Sequence, residues 1–135
     1  MNESPIEPSA PAQGRTILCI EDERFIAELY ARALTKAGYV VTVITDGAQG
    51  LAEAQTNKYD LILLDLMIPN VTGIEILRTL RDPARVPPLK SKIVVATNLE
   101  QRADVRSDIE NQADGFLVKA EMTPHELVDF INNVN

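Results

Sequence analysis

The chain has 135 residues, 45% of them hydrophobic, with a formal net charge of −7. That length suits one domain with a real core, and no apolar run approaches the roughly 20 residues of a membrane helix. The acidic balance argues against a nucleic-acid-binding face and for basic partners or bound cations. The single cysteine, Cys19, excludes an internal disulfide and a multi-cysteine metal site; inside an apolar run it reads as a buried, inert thiol.

Residues 1–14 hold three prolines and few large apolar groups. They read as a disordered tail, with neither the basic start nor the apolar stretch of a signal peptide. A cytoplasmic protein with one domain over 15–135 is expected. From Thr16 two periodicities alternate. TILCI (16–20) is an apolar run of strand length. A helical pattern follows, with Phe25, Ile26, Leu29, Ala33, Leu34 and Ala37 on one face, ended by Gly38. YVVTVI (39–44) is a β-branched strand, and Asp46 caps a short helix with Gln49 at the capping-box position. DLILLDL (60–66) is the third strand; Ile74, Ile76, Leu77 and Leu80 mark the third helix. The proline-rich 81–92 is a long loop, and KIVVAT (92–97) is the fourth strand. A polar helix over roughly 100–112 offers only Val105 and Ile109 to a core. GFLVK (115–119) is the fifth strand. Thr123-Pro124-His125-Glu126 is a capping box opening a last helix with Leu127, Phe130, Ile131 and Val134 on one face. His125 belongs to that box and is no ligand candidate. Five strands alternating with five helices, apolar on both faces, predict a doubly wound α/β sandwich with a parallel sheet.

Ligands of open parallel sheets bind outside the carboxyl ends of the strands. Glu21, Asp22 and Glu23 follow strand one, Asp65 lies at the carboxyl end of strand three, Thr97 ends strand four and Lys119 ends strand five. Taken singly, Asp22 reads as a helix N-cap, Glu21 and Glu23 as solvated charges near a helix start, Thr97 as a cap and Lys119 as a surface lysine. Asp65, surrounded by Leu61, Ile62, Leu63, Leu64 and Leu66, resists such a reading, because burying a lone carboxylate is expensive. Glu21, Asp22 and Asp65 cannot all stay ionised together without a cation or a raised pKa. A few hard oxygen donors open to solvent suit Mg²⁺ (or Mn²⁺). Carboxylate, metal, ammonium and hydroxyl are together the parts for handling a phosphoryl group, with Asp65 as a nucleophile that forms an acyl phosphate.

The motifs ILCIEDE, LILLDLMIPNVTG, IVVATN and GFLVKA closely resemble the receiver domain of two-component response regulators over residues 15–134. The resemblance implies a flavodoxin-like fold with strand order 2-1-3-4-5. It implies that Asp65 accepts a phosphoryl group from a histidine kinase or phosphotransfer protein. Asp22, Asp65 and the backbone carbonyl of Met67 would bind Mg²⁺ directly, and Glu21 through a water. Lys119 would pair with the phosphoryl group and Asp65, and Thr97 would swing to bond a phosphoryl oxygen. Phe116 would turn inward as the aromatic switch, and Pro69 and Gly73 would shape the loop after the acceptor. The family's usual cis-proline after the lysine is Ala120 here, so a trans bond and a shifted loop are expected. Asn98 stands where the family commonly has a small residue and would crowd the pocket rim. Phe116 lacks the common tyrosine hydroxyl, so its switch must act by packing. Met67 and Leu99 occupy positions where polar family residues help water attack the phosphate; both are apolar, which predicts slow spontaneous dephosphorylation.

The expected behaviour is that of a stand-alone switch, monomeric or weakly dimeric. With no effector segment after Asn135, the output would be protein binding through helix four, strand five and helix five, with no direct nucleic acid or membrane contact. A haloacid-dehalogenase-type phosphohydrolase also uses an aspartyl phosphate, but it usually carries a second aspartate where Met67 stands. A flavin-binding module needs a Ser/Thr/Gly-rich phosphate loop where this chain has EDER. A degenerate receiver acting as a phosphorylation-independent scaffold is the remaining alternative, raised by Asn98 and Ala120.

Overall fold

The structure is a computed structural model and describes residues 14–98 and 103–134. The expected tail over 1–14 therefore lies, Gly14 apart, outside the described residues, as does Leu99. Strands β1 (Thr16–Ile20), β2 (Val40–Ile44), β3 (Leu61–Leu64), β4 (Lys92–Thr97) and β5 (Gly115–Val118) alternate with helices α1 (Arg24–Lys36), α2 (Gly47–Ala54), α3 (Gly73–Leu80), α4 (Ala103–Gln112) and α5 (Pro124–Val134). All four strand pairs are parallel, in the order β2-β1-β3-β4-β5.

Strand alternation divides the core into two layers. Leu18, Ile20, Ile62, Leu64, Ile93 and Val95 face Ile76, Leu77, Leu80 and Ile109 of α3 and α4. Ile17, Cys19, Leu61, Leu63, Val94 and Leu117 face Tyr30, Leu34, Leu127 and Ile131 of α1 and α5. This is why β1, β3 and β4 are apolar at consecutive positions: both faces are covered. Cys19 is 1% exposed and free, and burial pushes its thiol up to about 12.

Side-chain capping explains where α2, α3 and α5 begin. The Asp46 carboxylate accepts from Gln49 N at 2.9 Å, and Thr123 and Glu126 exchange both bonds of a capping box. A second box, Thr72 with Glu75, starts α3 and was not anticipated. Residues 81–91 form the expected loop without helix or strand.

Three expectations need correction. The buried face of α1 is Ala27, Tyr30 and Leu34, whereas Phe25 is 71% exposed; two residues before Ala27, it lies about 200° around the helix. Strand β3 stops at Leu64, so Asp65 and Leu66 are buried just beyond the ladder. Strand β5 stops at Val118, and Lys119–Glu121 form a 3₁₀ turn.

Candidate functional site

Parallel register assembles the site. Ile20 pairs with Leu64, so Glu21 and Asp65 are the next residues along adjacent strands. Asp65 N donates to Ile20 O at 3.0 Å, and Glu21 N to Ile44 O at 3.1 Å, which fixes both backbones at the strand ends. Thr97 pairs with Val118, so Lys119 leaves β5 at the same edge. The loop after Asp65 is held by close packing at two glycines. A Cβ on Gly73 would lie 2.3 Å from the Asp65 carbonyl oxygen, and one on Gly47 2.0 Å from that of Val71. Gly73 N also donates to Leu66 O, and Gly47 N to Pro69 O, both at 3.1 Å.

Lys119 is the hub. Its Nζ lies 2.7 Å from Glu21 Oε1, 3.3 Å from Asp65 Oδ2 and 3.8 Å from Glu23 Oε1. Glu21 Oε2 accepts from Glu23 N, and Asp65 Oδ1 from Met67 N, both at 3.1 Å. Glu21, Asp65 and Lys119 are all buried. Burial raises the Glu21 carboxyl to about 7, with the Lys119 bond opposing and the Asp65 charge adding to the rise. For Lys119, burial acts to lower the ammonium, but the bond to Glu21 and the charge of Asp65 outweigh it and hold the pKa above its usual value. One ammonium thus serves more carboxylates than it can neutralise. Oxygens of Glu21, Asp22 and Asp65 lie within 4.8 Å of one another, a hard, anionic donor set of the kind that suits Mg²⁺. Asp22 itself is exposed and lines a cavity of about 470 Å³ with Glu23, Asp65, Met67, Asn98 and Lys119.

The Lys119–Ala120 peptide bond is trans; the cis bond among the described residues precedes Pro87. With that trans bond, Lys119 still reaches Glu21 and Asp65. Asn98 and Lys119 also line an adjoining cavity of about 180 Å³, which Tyr30 and Ala120 help to form. Thr97 is fully buried at the end of β4. Phe116 is half-buried, packs against the α3–α4 layer and carries the Arg106 guanidinium 4.5 Å from its ring centre. His125, exposed on α5, faces the Asp129 carboxylate at 3.6 Å.

Asp22 is not the N-cap of α1. Glu23 is, without a side-chain cap bond, and its carboxylate belongs to the site; its place beside Glu21 and Asp22 was the available signal. The close approaches at Gly73 and Gly47 and the contribution of Tyr30 had no signal in local sequence.

Residues 17–132 match the family described as the response regulator receiver domain. The chain is 36% identical to the response regulator ArlR of Staphylococcus epidermidis over 103 residues, 76% of this chain and 45% of the relative. It is 37% identical to the DNA-binding response regulator MtrA of Mycobacterium leprae over 112 residues, 83% of this chain and 47% of the relative. The chain therefore spans about half the length of the curated relatives it matches. Among solved structures, the chemotaxis protein CheY4 of Vibrio cholerae superposes with a TM-score of 0.76 at 26% identity, covering 90% of this chain and 99% of that one. The BeF₃-activated N-terminal receiver domain of Klebsiella pneumoniae RstA gives 0.74 at 26% identity, covering 88% and 97%. Strand order, acidic edge and sequence agree: the chain belongs to the receiver domains of two-component response regulators, a family that switches by phosphorylation.

Proposed function

We propose that Asp65 is the phosphoryl acceptor of this receiver and that a histidine kinase or phosphotransfer protein is its donor. The observation that carries this is Lys119 Nζ bridging Glu21 and Asp65 at the floor of a cavity open to solvent on the Asp22 side. A carboxylate oxygen of Asp65 attacks the phosphorus of a phosphohistidine. An O–P bond forms, the P–N bond breaks, and the imidazole leaves with the electron pair and takes up a proton.

Asp22, Asp65 and the Met67 carbonyl would hold Mg²⁺, with Glu21 through a water, and the ion would supply positive charge to the phosphoryl oxygens. That charge would offset the mutual repulsion of the Asp22 and Asp65 side chains. Lys119 gives up its bond to Asp65 and donates to a phosphoryl oxygen. Thr97 turns its hydroxyl to a second oxygen, Phe116 moves inward, and the surface of α4, β5 and α5 changes for a protein partner. Asn98, on the rim, limits what enters the pocket.

Incubation with Mg²⁺ and acetyl phosphate, followed by intact mass, tests the reading. The native chain gains one phosphoryl group and Asp65→Asn gains none. No gain in the native chain supports the scaffold alternative instead.

A further inference from the structure

We propose that Arg106 is a latch that holds Phe116 in its outward position, so that the guanidinium of α4 opposes the switch. The proposal rests on the acceptor reading of Asp65 and adds the regulation of that site. The Arg106 guanidinium carbon stands 4.5 Å from the Phe116 ring centre, within the range of a cation–π contact. Phe116 is half-buried, and its ring lines a cavity of about 210 Å³ together with Arg106, Glu121, Met122 and Phe130. Strand register defines the alternative. Phe116 pairs with Val95 and Val118 with Thr97. By alternation Phe116 and Thr97 therefore project from the same sheet face, offset by two residues on neighbouring strands. A ring that turns toward the space Thr97 vacates must leave the guanidinium. Arg106 Nε also lies 3.7 Å from Glu110 Oε2 one turn along α4, an exposed pair on the helix surface.

The contact therefore lowers the free energy of the outward arrangement alone. A ligand that requires the inward arrangement binds with an affinity reduced by the fraction of molecules in it. Removing the latch raises that fraction. An exposed cation–π pair of ordinary strength corresponds to an effect of about two- to five-fold.

The test measures the affinity of the whole chain for beryllofluoride in excess Mg²⁺ by titration calorimetry. Arg106→Met keeps the aliphatic stem and removes the guanidinium. Phe116→Leu keeps an apolar side chain and removes the ring. The expected result is that Arg106→Met binds about two- to five-fold tighter than the native chain, and that the same change in the Phe116→Leu background has no effect. Unchanged affinity in Arg106→Met, or a gain that persists without the ring, overturns the latch and leaves the acceptor reading intact. A native chain that binds no beryllofluoride overturns the acceptor reading and the latch with it.

Discussion

Replacing Lys119 by methionine removes the ammonium shared by two buried carboxylates. Glu21 and Asp65 lie on adjacent strand ends with ligand oxygens within 4.8 Å. At an effective dielectric of about 20, that separation corresponds to about 3.5 kcal/mol of repulsion between unit charges. Deleting one partner of a buried ion pair costs about 3–5 kcal/mol by the same logic. Lys119→Met without added metal at pH 8 should therefore lose about 3–4 kcal/mol and melt about 10 °C lower. The loss should depend on pH in a defined direction. Glu21 has its folded pKa raised from 4.5 to about 7, so the folded state binds its proton more tightly than the unfolded chain does. The stability that this proton supplies is fully present below 4.5 and is lost as pH rises through about 7. Without Lys119 to oppose that rise, the variant should fall further behind the native chain between pH 6 and pH 8. Glu21→Gln added to Lys119→Met removes one charge of the clash and should recover about 2 kcal/mol. Urea unfolding of the four proteins in EDTA at both pH values completes the cycle. A Lys119→Met protein within about 1 kcal/mol of the native one at pH 8, or a double variant whose losses simply add, would refute the electrostatic account.

Three more outcomes follow from the packing. Gly73→Ala must push against the Asp65 carbonyl, 2.3 Å from the added Cβ; it should cost about 1–3 kcal/mol and slow phosphorylation from acetyl phosphate, and equal rates would mean that this loop does not position Asp65. Cys19, 1% exposed with its thiol raised to about 12, should resist iodoacetamide at pH 8 in the folded protein and react only after unfolding in urea; rapid labelling of the native protein would contradict its burial. The apolar Met67 side chain, 59% exposed on the cavity rim, offers nothing to orient an attacking water, so the aspartyl phosphate should persist and Met67→Asn should shorten its lifetime; a native half-life of only seconds, followed by intact mass, would sink this.

Much of the molecule was legible in local sequence because two of its determinants are local. Period and turn chemistry mark the elements: consecutive apolar runs at 17–20, 61–64 and 93–96, short and set between turn residues, read as strands covered on both faces. Asp46 and Thr123 announce helix starts through bonds spanning three residues. The rule that strand ends carry the site then singled out Glu21, Asp22, Asp65, Thr97 and Lys119. The misreading of α1 has an equally physical source. Its apolar residues exceed one stripe, and only the position of the sheet selects Ala27, Tyr30 and Leu34 over Phe25.

The sequence by itself determined which chemical groups stand at the carboxyl edge of the sheet, since each group follows directly on a recognisable strand. Only the tertiary structure decided how those groups share charge. Lys119 meets Glu21 more closely than Asp65 across 98 residues of chain, Gly73 is pressed against the Asp65 carbonyl, and Arg106 rests on Phe116. Each of these contacts joins two elements. It depends on strand register and on the distance at which a helix packs, and neither quantity is encoded in any short stretch of residues.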